Sequence, residues 1–443
     1  MNRREFSAGL FAAAVARTLP APLRGRAPSS LLSSAPAPTV NGARLNGHLS
    51  TLGKFAANPE GGVSRVAFSD ADKAAREQVT QWMREASLTT NVDAAANIIG
   101  HRVGRDRRYP LVFGSHIDSV PGGGIYDGDV GSMAAIEVAQ TLAEHNITLR
   151  HPIEVAIWTD EEGGLVGSQL VSGQLAASEI KQVSSSGKTI EDGITFLGGD
   201  PFNFDQVKRK RGEIAGYFEL HIEQGGTLDK EKVNIGIVEG IVGIKQWNVT
   251  VTGFQNHAGT TAMSDRRDAL LAAAQFVEMV NRVVRATPGR QVGTVGRIQA
   301  FPGAPNVIPG KVVCSLELRD LNDAKVDSMF ASIQAEAQTI AKATGTTFEY
   351  APLHANVAAP SDPRMRAFIA DAAKGLGLTS KLMPSGAGHD AQAMATLGPM
   401  GMIFIPSVGG ISHSPKEFSR PEDIVNGANV LLAAVLGADA ALD

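Results

Sequence analysis

The strongest constraint on the fold is an alternation of short, uninterrupted apolar runs with a helical segment. Pro110 to Ser115 and Ile153 to Trp158 read as strands buried on both faces, and Val130 to Asn146 lies between them. In that middle segment Met133, Ile136, Ala139 and Leu142 recur every three residues, the spacing of a helix that lays one stripe on a sheet. Strand, helix and strand at this spacing make a βαβ unit, whose two strands run parallel. Two further runs, Gly216 to Leu220 and Met402 to Pro406, extend the series, so the main domain is predicted to be α/β with a mainly parallel sheet.

A different rhythm occupies residues 243–355. Strands are predicted at Gln246 to Thr252, Val292 to Ala300, Val312 to Arg319 and Thr347 to Tyr350, with helices at Asp268 to Ala286 and Ala324 to Thr344. The order β-α-β-β-α-β is the ferredoxin-like arrangement, read as a small domain inserted between catalytic parts at 39–242 and 356–443. Within it Val312, Cys314, Leu316 and Leu318 share one face of a strand, while Glu317 and Arg319 share the other. Gln246 lies on the polar side of its own strand, opposite Trp247, Val249 and Val251. Residues 182–213, rich in Ser, Gly and charge, read as a surface excursion.

Composition enters by exclusion. The 443 residues are enough for two or three domains, and a net charge of −4 with no basic run longer than Lys208 to Arg211 argues against nucleic-acid binding. A single cysteine excludes an intramolecular disulfide and a Cys-rich metal module, so any metal ligands must be His and carboxylate. No apolar run approaches the roughly 18 residues of a bilayer span, and no membrane partner is expected. Residues 1–38 carry five Arg, one Glu and no Lys or Asp, with Arg3-Arg4 ahead of the weakly apolar run Ala8 to Ala16 and a Pro/Ser/Ala stretch. This resembles a twin-arginine export signal, which implies a periplasmic or exported protein; read as an ordinary extension, the same segment leaves the protein cytoplasmic.

Three histidines fall at or just after predicted strand ends among polar and glycine residues: His116 in Gly-Ser-His-Ile-Asp-Ser, His221 in Glu-Leu-His-Ile-Glu-Gln-Gly and His413 in Gly-Gly-Ile-Ser-His-Ser. Asp127, in Tyr-Asp-Gly, and the run Asp160-Glu161-Glu162 after Ile153 to Trp158 join them. Open α/β sheets bind ligands beyond the carboxyl ends of their strands, so separate strand ends deliver these groups to one edge. Three His with Asp and Glu form a donor set suited to two hydrolytic divalent cations. Adjacent glutamates repel one another unless a cation binds one and the other holds or exchanges a proton. Asp118, two residues after His116, is placed to fix the imidazole tautomer through its carboxylate.

The quoted residues resemble a known family. His116-Ile-Asp118, Asp127-Gly128, Asp160-Glu161-Glu162-Gly163, His221 and His413 look like the pattern of metallopeptidase family 20. Glu219-Leu-His-Ile-Glu-Gln224-Gly, Asn256-His-Ala-Gly-Thr-Thr261, Arg266-Arg-Asp-Ala269, Pro305-Asn-Val-Ile-Pro309 and Ser407-Val-Gly-Gly-Ile-Ser-His-Ser414 resemble its hydantoinase/carbamoylase amidase branch. That branch includes N-carbamoyl-L-amino acid hydrolases, allantoate amidohydrolases and β-ureidopropionases. The resemblance runs from about residue 42 to the C-terminus and departs at Ala262, where the family more often has Pro. It implies a zinc-peptidase-like catalytic domain with a lid and dimerisation domain, a homodimer, and two divalent ions per chain, zinc first, manganese or cobalt as substitutes. His116 and His221 would hold one ion, Glu162 and His413 the other, and Asp127 would bridge them, with Glu161 as general base. Arg319 would clamp a substrate carboxylate, with Gln224, Gln246, Asn306, Gly388 and His389 as further contacts. His257 would stabilise the oxyanion in the neighbouring subunit's site.

Other readings compete. An aminopeptidase-like hydrolase fits the same scaffold, and an exported two-domain binding protein could use the cleft without turnover. Arg319 could instead form a surface salt bridge with Glu317 or Asp320. Gly386-Ala-Gly-His-Asp-Ala391 superficially matches a dinucleotide fingerprint, but no acidic residue ends the strand that follows it. The expected reaction is hydrolysis of the carbamoyl or ureido C–N bond of an N-carbamoyl-L-amino acid or related ureido acid, with ammonia released; allantoate is the alternative substrate.

Overall fold

The computed structural model describes residues 38–176 and 178–443; the segment read as an export signal lies outside them except for Pro38. Chain order gives strands β1 (Thr89–Val92), β2 (Ile98–Arg102), β3 (Leu111–His116), β4 (Ile153–Trp158), β5 (Gly216–Ile222) and β6 (Ile235–Ile241). Next come β7 (Gly243–Thr252), β8 (Asn256–His257), β9 (Val292–Thr294), β10 (Ile298–Phe301), β11 (Val307–Ile308), β12 (Lys311–Asp320) and β13 (Thr347–Asn356). The last three are β14 (Ala359–Pro360), β15 (Ser380–Ser385) and β16 (Met400–Ile405).

The larger sheet runs β1-β2-β4-β3-β5-β16-β6-β14, with β15 also on β6. Its centre, β4-β3-β5-β16, is parallel, and antiparallel pairs β1–β2, β2–β4, β16–β6 and β6–β14 flank it. All residues of β3, β5 and β16 are buried, as central strands covered on both faces must be. On one face lie helices Gly42–Leu52, Asp129–Glu144, Pro363–Gly375 and Pro421–Ala441; on the other lie Val166–Ser172 and Asp390–Met394. Met133, Ile136, Ala139 and Leu142 are all buried on the sheet.

Two features of this lobe go beyond what the apolar runs announce. Helix Pro421–Ala441 is, by length and composition, apolar enough to cross a membrane, although its apolar residues are not contiguous. Here it packs Ile424, Leu431, Leu432 and Val435 into the core. Each such burial contributes roughly 1.5–3 kcal/mol, which accounts for the composition without a bilayer. The supposed excursion 182–213 contains helix Ile190–Phe196, capped by the Thr189 hydroxyl, whose Ile190 and Ile194 join Phe68 and Val166 in a satellite core.

The smaller sheet has the order β10-β12-β7-β13 with β9 also on β12, every pair antiparallel. Helices Ala269–Ala286 and Asp323–Thr344, capped by Asp268 and Asn322, cover one face, and their core draws all its buried members from residues 247–348. Cys314 is fully buried there, and Trp247 stacks on Phe330. The single strand expected at 292–300 is broken. Residues 295–297 stand opposite only Ser315 and Leu316, a bulge that separates β9 from β10. The chain passes between the sheets twice, at Ile241–Gly243 and at Asn356–Ala359.

Candidate active site

The parallel centre of the large sheet ends in the polar residues singled out above. His116 is the last residue of β3, His221 is the penultimate residue of β5, Asp160-Glu161-Glu162 follows β4 and His413 follows β16. Asp127 precedes helix Asp129–Glu144, and the turn between them requires glycine. Gly128 has φ +67°, and a Cβ there would lie 2.4 Å from the His116 ring. Asp160, Gln224 and His413 also adopt left-handed backbone, a cost of the kind that clusters at functional sites.

Asp127 is the hub. Its Oδ1 lies 3.1 Å from His221 Nε2 and 3.8 Å from His116 Nε2; its Oδ2 lies 3.4 Å from His413 Nε2. His413 Nε2 is also 3.5 Å from Glu162 Oε2, and Glu161 Oε2 is 3.6 Å from His116 Nε2. Two ligand groups result, His116-Asp127-His221 and Asp127-Glu162-His413, sharing the Asp127 carboxylate. Backbone carbonyls set both buried imidazoles: His116 Nδ1 is 3.0 Å from the Asp118 carbonyl oxygen and His221 Nδ1 is 2.9 Å from that of Ile222. Each Nδ1 therefore carries a proton, and each Nε2 is turned toward Asp127, where the neutral ring offers its lone pair. The expectation for Asp118 changes accordingly. Its carbonyl, not its carboxylate, fixes His116; the carboxylate accepts from the backbone N–H groups of Glu161 and Glu162, holding that loop.

The electrostatics are those of a site built for cations. Burial, then Asp127, pushes Glu162 up to about 8, and burial with Asp390 and Glu162 pushes Glu161 well above the usual range. Burial opposes charge on His221, but Asp127 outweighs it and carries the imidazole up to about 9; the Asp127 hydrogen bond takes His413 up to about 9 as well. His116, enclosed and farther from Asp127, is held down to about 4 by burial. Among the described residues no Lys or Arg pairs with Asp127, Glu161 or Glu162, and His116 Nε2 and Glu162 Oε1 are buried without a hydrogen-bond partner. Two divalent cations sharing one carboxylate fit this set: His116, Asp127, His221, Glu162 and His413 would hold them, and they would supply the missing positive charge and occupy the unpartnered lone pairs.

The site opens into a cleft of about 1580 Å³ lined by Glu161, Glu162, Gln224, Gly388, His354 and His413. Gln224 Nε2 donates to Asp127 Oδ2 at 2.7 Å. Arg319, on the open face of β12, donates from Nε to Glu317 at 2.7 Å and from Nη1 to the Gly386 carbonyl at 2.6 Å, so it bridges the lobes while holding the ion pair that the alternative reading named. Gln246 donates to the other oxygen of Glu317 at 2.5 Å. His389, expected as a substrate contact, is buried behind the site: its Nε2 is 2.8 Å from the Ser385 hydroxyl and its ring packs edge-on against His221. His257 and Asn306 meet each other's segments through β8–β11, at an exposed strand pair beside the smaller sheet. None of their hydrogen bonds reaches the acidic cluster. The His257 Nδ1 accepts from Gly259 N–H at 2.9 Å, which leaves Nε2–H as an exposed donor.

Several groups at the site were not foreseen. Glu219, buried in β5, accepts from Ser115, Tyr217 and the Ala391 N–H; a carboxylate inside an apolar run was the signal available for it. Arg65 is 1% exposed and binds Asp129, the Ile117 carbonyl and the Leu52 carbonyl. Glu417 reaches the Asp127 backbone from 290 residues away, with no local pattern to announce it.

Comparison with known proteins adds lineage to this geometry. Residues 112–437 match the family model of peptidase family M20/M25/M40. The chain is 39% identical over 402 residues to an N-carbamoyl-L-amino acid amidohydrolase of Geobacillus stearothermophilus, covering 89% of this chain and 98% of that protein. It is 35% identical over 407 residues to a ureidoglycolate hydrolase of Arabidopsis thaliana, covering 89% and 86% respectively. A crystal structure of a hydantoinase/carbamoylase family amidase from Burkholderia multivorans shares the fold with a TM-score of 0.83 and 37% identity, over 91% of this chain and 99% of that one. With strand ends, donor set and relatives in agreement, the chain belongs to peptidase family M20/M25/M40 and is a hydrolase of its hydantoinase/carbamoylase amidase branch.

Proposed function

We propose that the protein hydrolyses the carbamoyl C–N bond of an N-carbamoyl-L-amino acid or a related ureido acid, releasing ammonia, with two divalent cations at His116-Asp127-His221 and Asp127-Glu162-His413. The observation that carries this reading is the shared Asp127 carboxylate between two ligand groups, with Glu161 beside them and not needed in either. Bound there, the cations supply Lewis-acid activation of a water and of the scissile carbonyl. Glu161 accepts the water's proton as the new C–O bond forms, then delivers it to the leaving nitrogen as the C–N bond breaks; burial and the neighbouring carboxylates raise its affinity for that proton. Gln224 and the Gly388 segment line the path to the carbonyl. Arg319 receives the substrate carboxylate: its Nη2 has no hydrogen-bond partner among the described residues, and a guanidinium binds carboxylate with two parallel N–H groups.

The same reading makes the active unit a homodimer, in which the exposed Nε2–H of His257 serves the oxyanion of the neighbouring site. Exposed Phe254, Met263, Leu270 and Leu271 near that loop supply apolar surface for such a contact. Arg3-Arg4 and the run after it are read as a twin-arginine signal, so the chain folds and takes up metal before export. The test is ammonia release from a panel of N-carbamoyl-L- and D-amino acids, ureidoglycolate, allantoate and dipeptides, before and after chelation. Activity on ureido acids should vanish on chelation and return with zinc, manganese or cobalt. Active protein without bound metal would overturn the mechanism, and dipeptides as the better substrates would make it an aminopeptidase.

A further inference from the structure

Glu417 takes no part in the scheme above, yet three donors converge on its carboxylate beside Asp127. The Tyr126 and Asp127 backbone N–H groups both donate to its Oε1, at 3.0 and 3.1 Å. Its Oε2 is 2.9 Å from the Ser412 hydroxyl, which is also 2.9 Å from Asp127 Oδ2. Among the described residues the buried carboxylate forms no ion pair, and the chain makes room for it: a Cβ on Gly124 would lie 2.0 Å from Oε1.

We propose that Glu417 is a positioning residue that sets the Asp127 carboxylate between the two ligand groups and so determines cation affinity; this rests on the two-cation reading above. Asp127 sits in a loop ahead of a helix, and a carboxylate on such a loop must be aimed from both ends to be shared. Glu417 holds the backbone end by two N–H bonds. Ser412, one residue before His413, holds the carboxylate end. Its single hydroxyl hydrogen is shared between Glu417 and Asp127, coupling the loop that carries His413 to the loop that carries Asp127. Partners of this kind behind metal ligands typically change metal affinity 10–100-fold when removed.

The test is a competitive chelator titration of full-length protein with zinc alone, with elemental analysis and the melting temperature of the metal-free form. Glu417→Ala should bind zinc about 10–100-fold more weakly per folded molecule. Glu417→Gln, which keeps an acceptor for the N–H groups and can donate to Ser412, should stay within about threefold of wild type. Ser412→Ala leaves the N–H bonds in place and should weaken zinc about tenfold without moving the metal-free melting temperature. Folded Glu417→Ala with wild-type affinity overturns the proposal. If that variant does not fold, wild-type affinity in Ser412→Ala overturns it instead. Wild-type protein that binds no metal would sink the two-cation reading itself, a result distinguishable from either.

Discussion

At the residue scale, Glu161 and Arg319 carry the separable predictions. Glu161 is 9% exposed and closer to His116 Nε2 than to any Lys or Arg, so removing its charge takes away a proton acceptor and leaves the ligand groups intact. Glu161→Gln should keep the fold and the metal content while kcat falls by roughly two to four orders of magnitude, measured by steady-state ammonia release. Turnover near that of wild type would move the base elsewhere. Arg319→Met should raise KM for free acids and abolish the preference for acids over their amides. Equal discrimination in variant and wild type would return Arg319 to the ion pair with Glu317.

Elements, rather than single side chains, fix where the ligands meet, and Arg65 is the place to test this. Its guanidinium joins the carbonyls of Leu52, Phe55 and Ile117 to the Asp129 carboxylate, tying the end of one helix to the end of β3 and the start of the helix after Asp127. Both partners of the ion pair are 1% exposed. Breaking a buried pair leaves an uncompensated charge, so Arg65→Ala should lower unfolding stability by about 3–5 kcal/mol in denaturant titration. A loss under about 1 kcal/mol would mean the helix start is held by packing alone. The long apolar strands were legible because burial on both faces leaves an uninterrupted run. The break between β9 and β10 was not, because a bulge depends on what the partner strand β12 does opposite residues 295–297.

At the scale of the whole molecule, the prediction concerns the domain of the smaller sheet. His257 is exposed on β8, and its only hydrogen-bond partners among the described residues are local. A preorganised donor to an oxyanion contributes roughly 2.7–4 kcal/mol, but only within about 3 Å of the oxygen, so on the proposed reading a second chain must bring it there. Reassociating inactive His257→Ala chains with inactive Glu161→Gln chains should restore about a quarter to a half of the sites, since each mixed C2 dimer holds one intact composite site. Mixed dimers that form and remain inactive would confine His257 to its own chain.

Sequence alone determined the strands, the helix between them and the residue types at their ends, because periodicity and apolar runs are local consequences of burial. It also determined that metal ligands could be only His and carboxylate, since one cysteine leaves no alternative. The tertiary structure decided which atoms do the work. It made the Asp118 carbonyl rather than its carboxylate the partner of His116, set His389 behind His221, and brought Glu417 to Asp127 across 290 residues. Such contacts follow from where loops pack once the sheet has formed, and hydrogen bonds between loops far apart in the chain leave no period in the sequence that makes them.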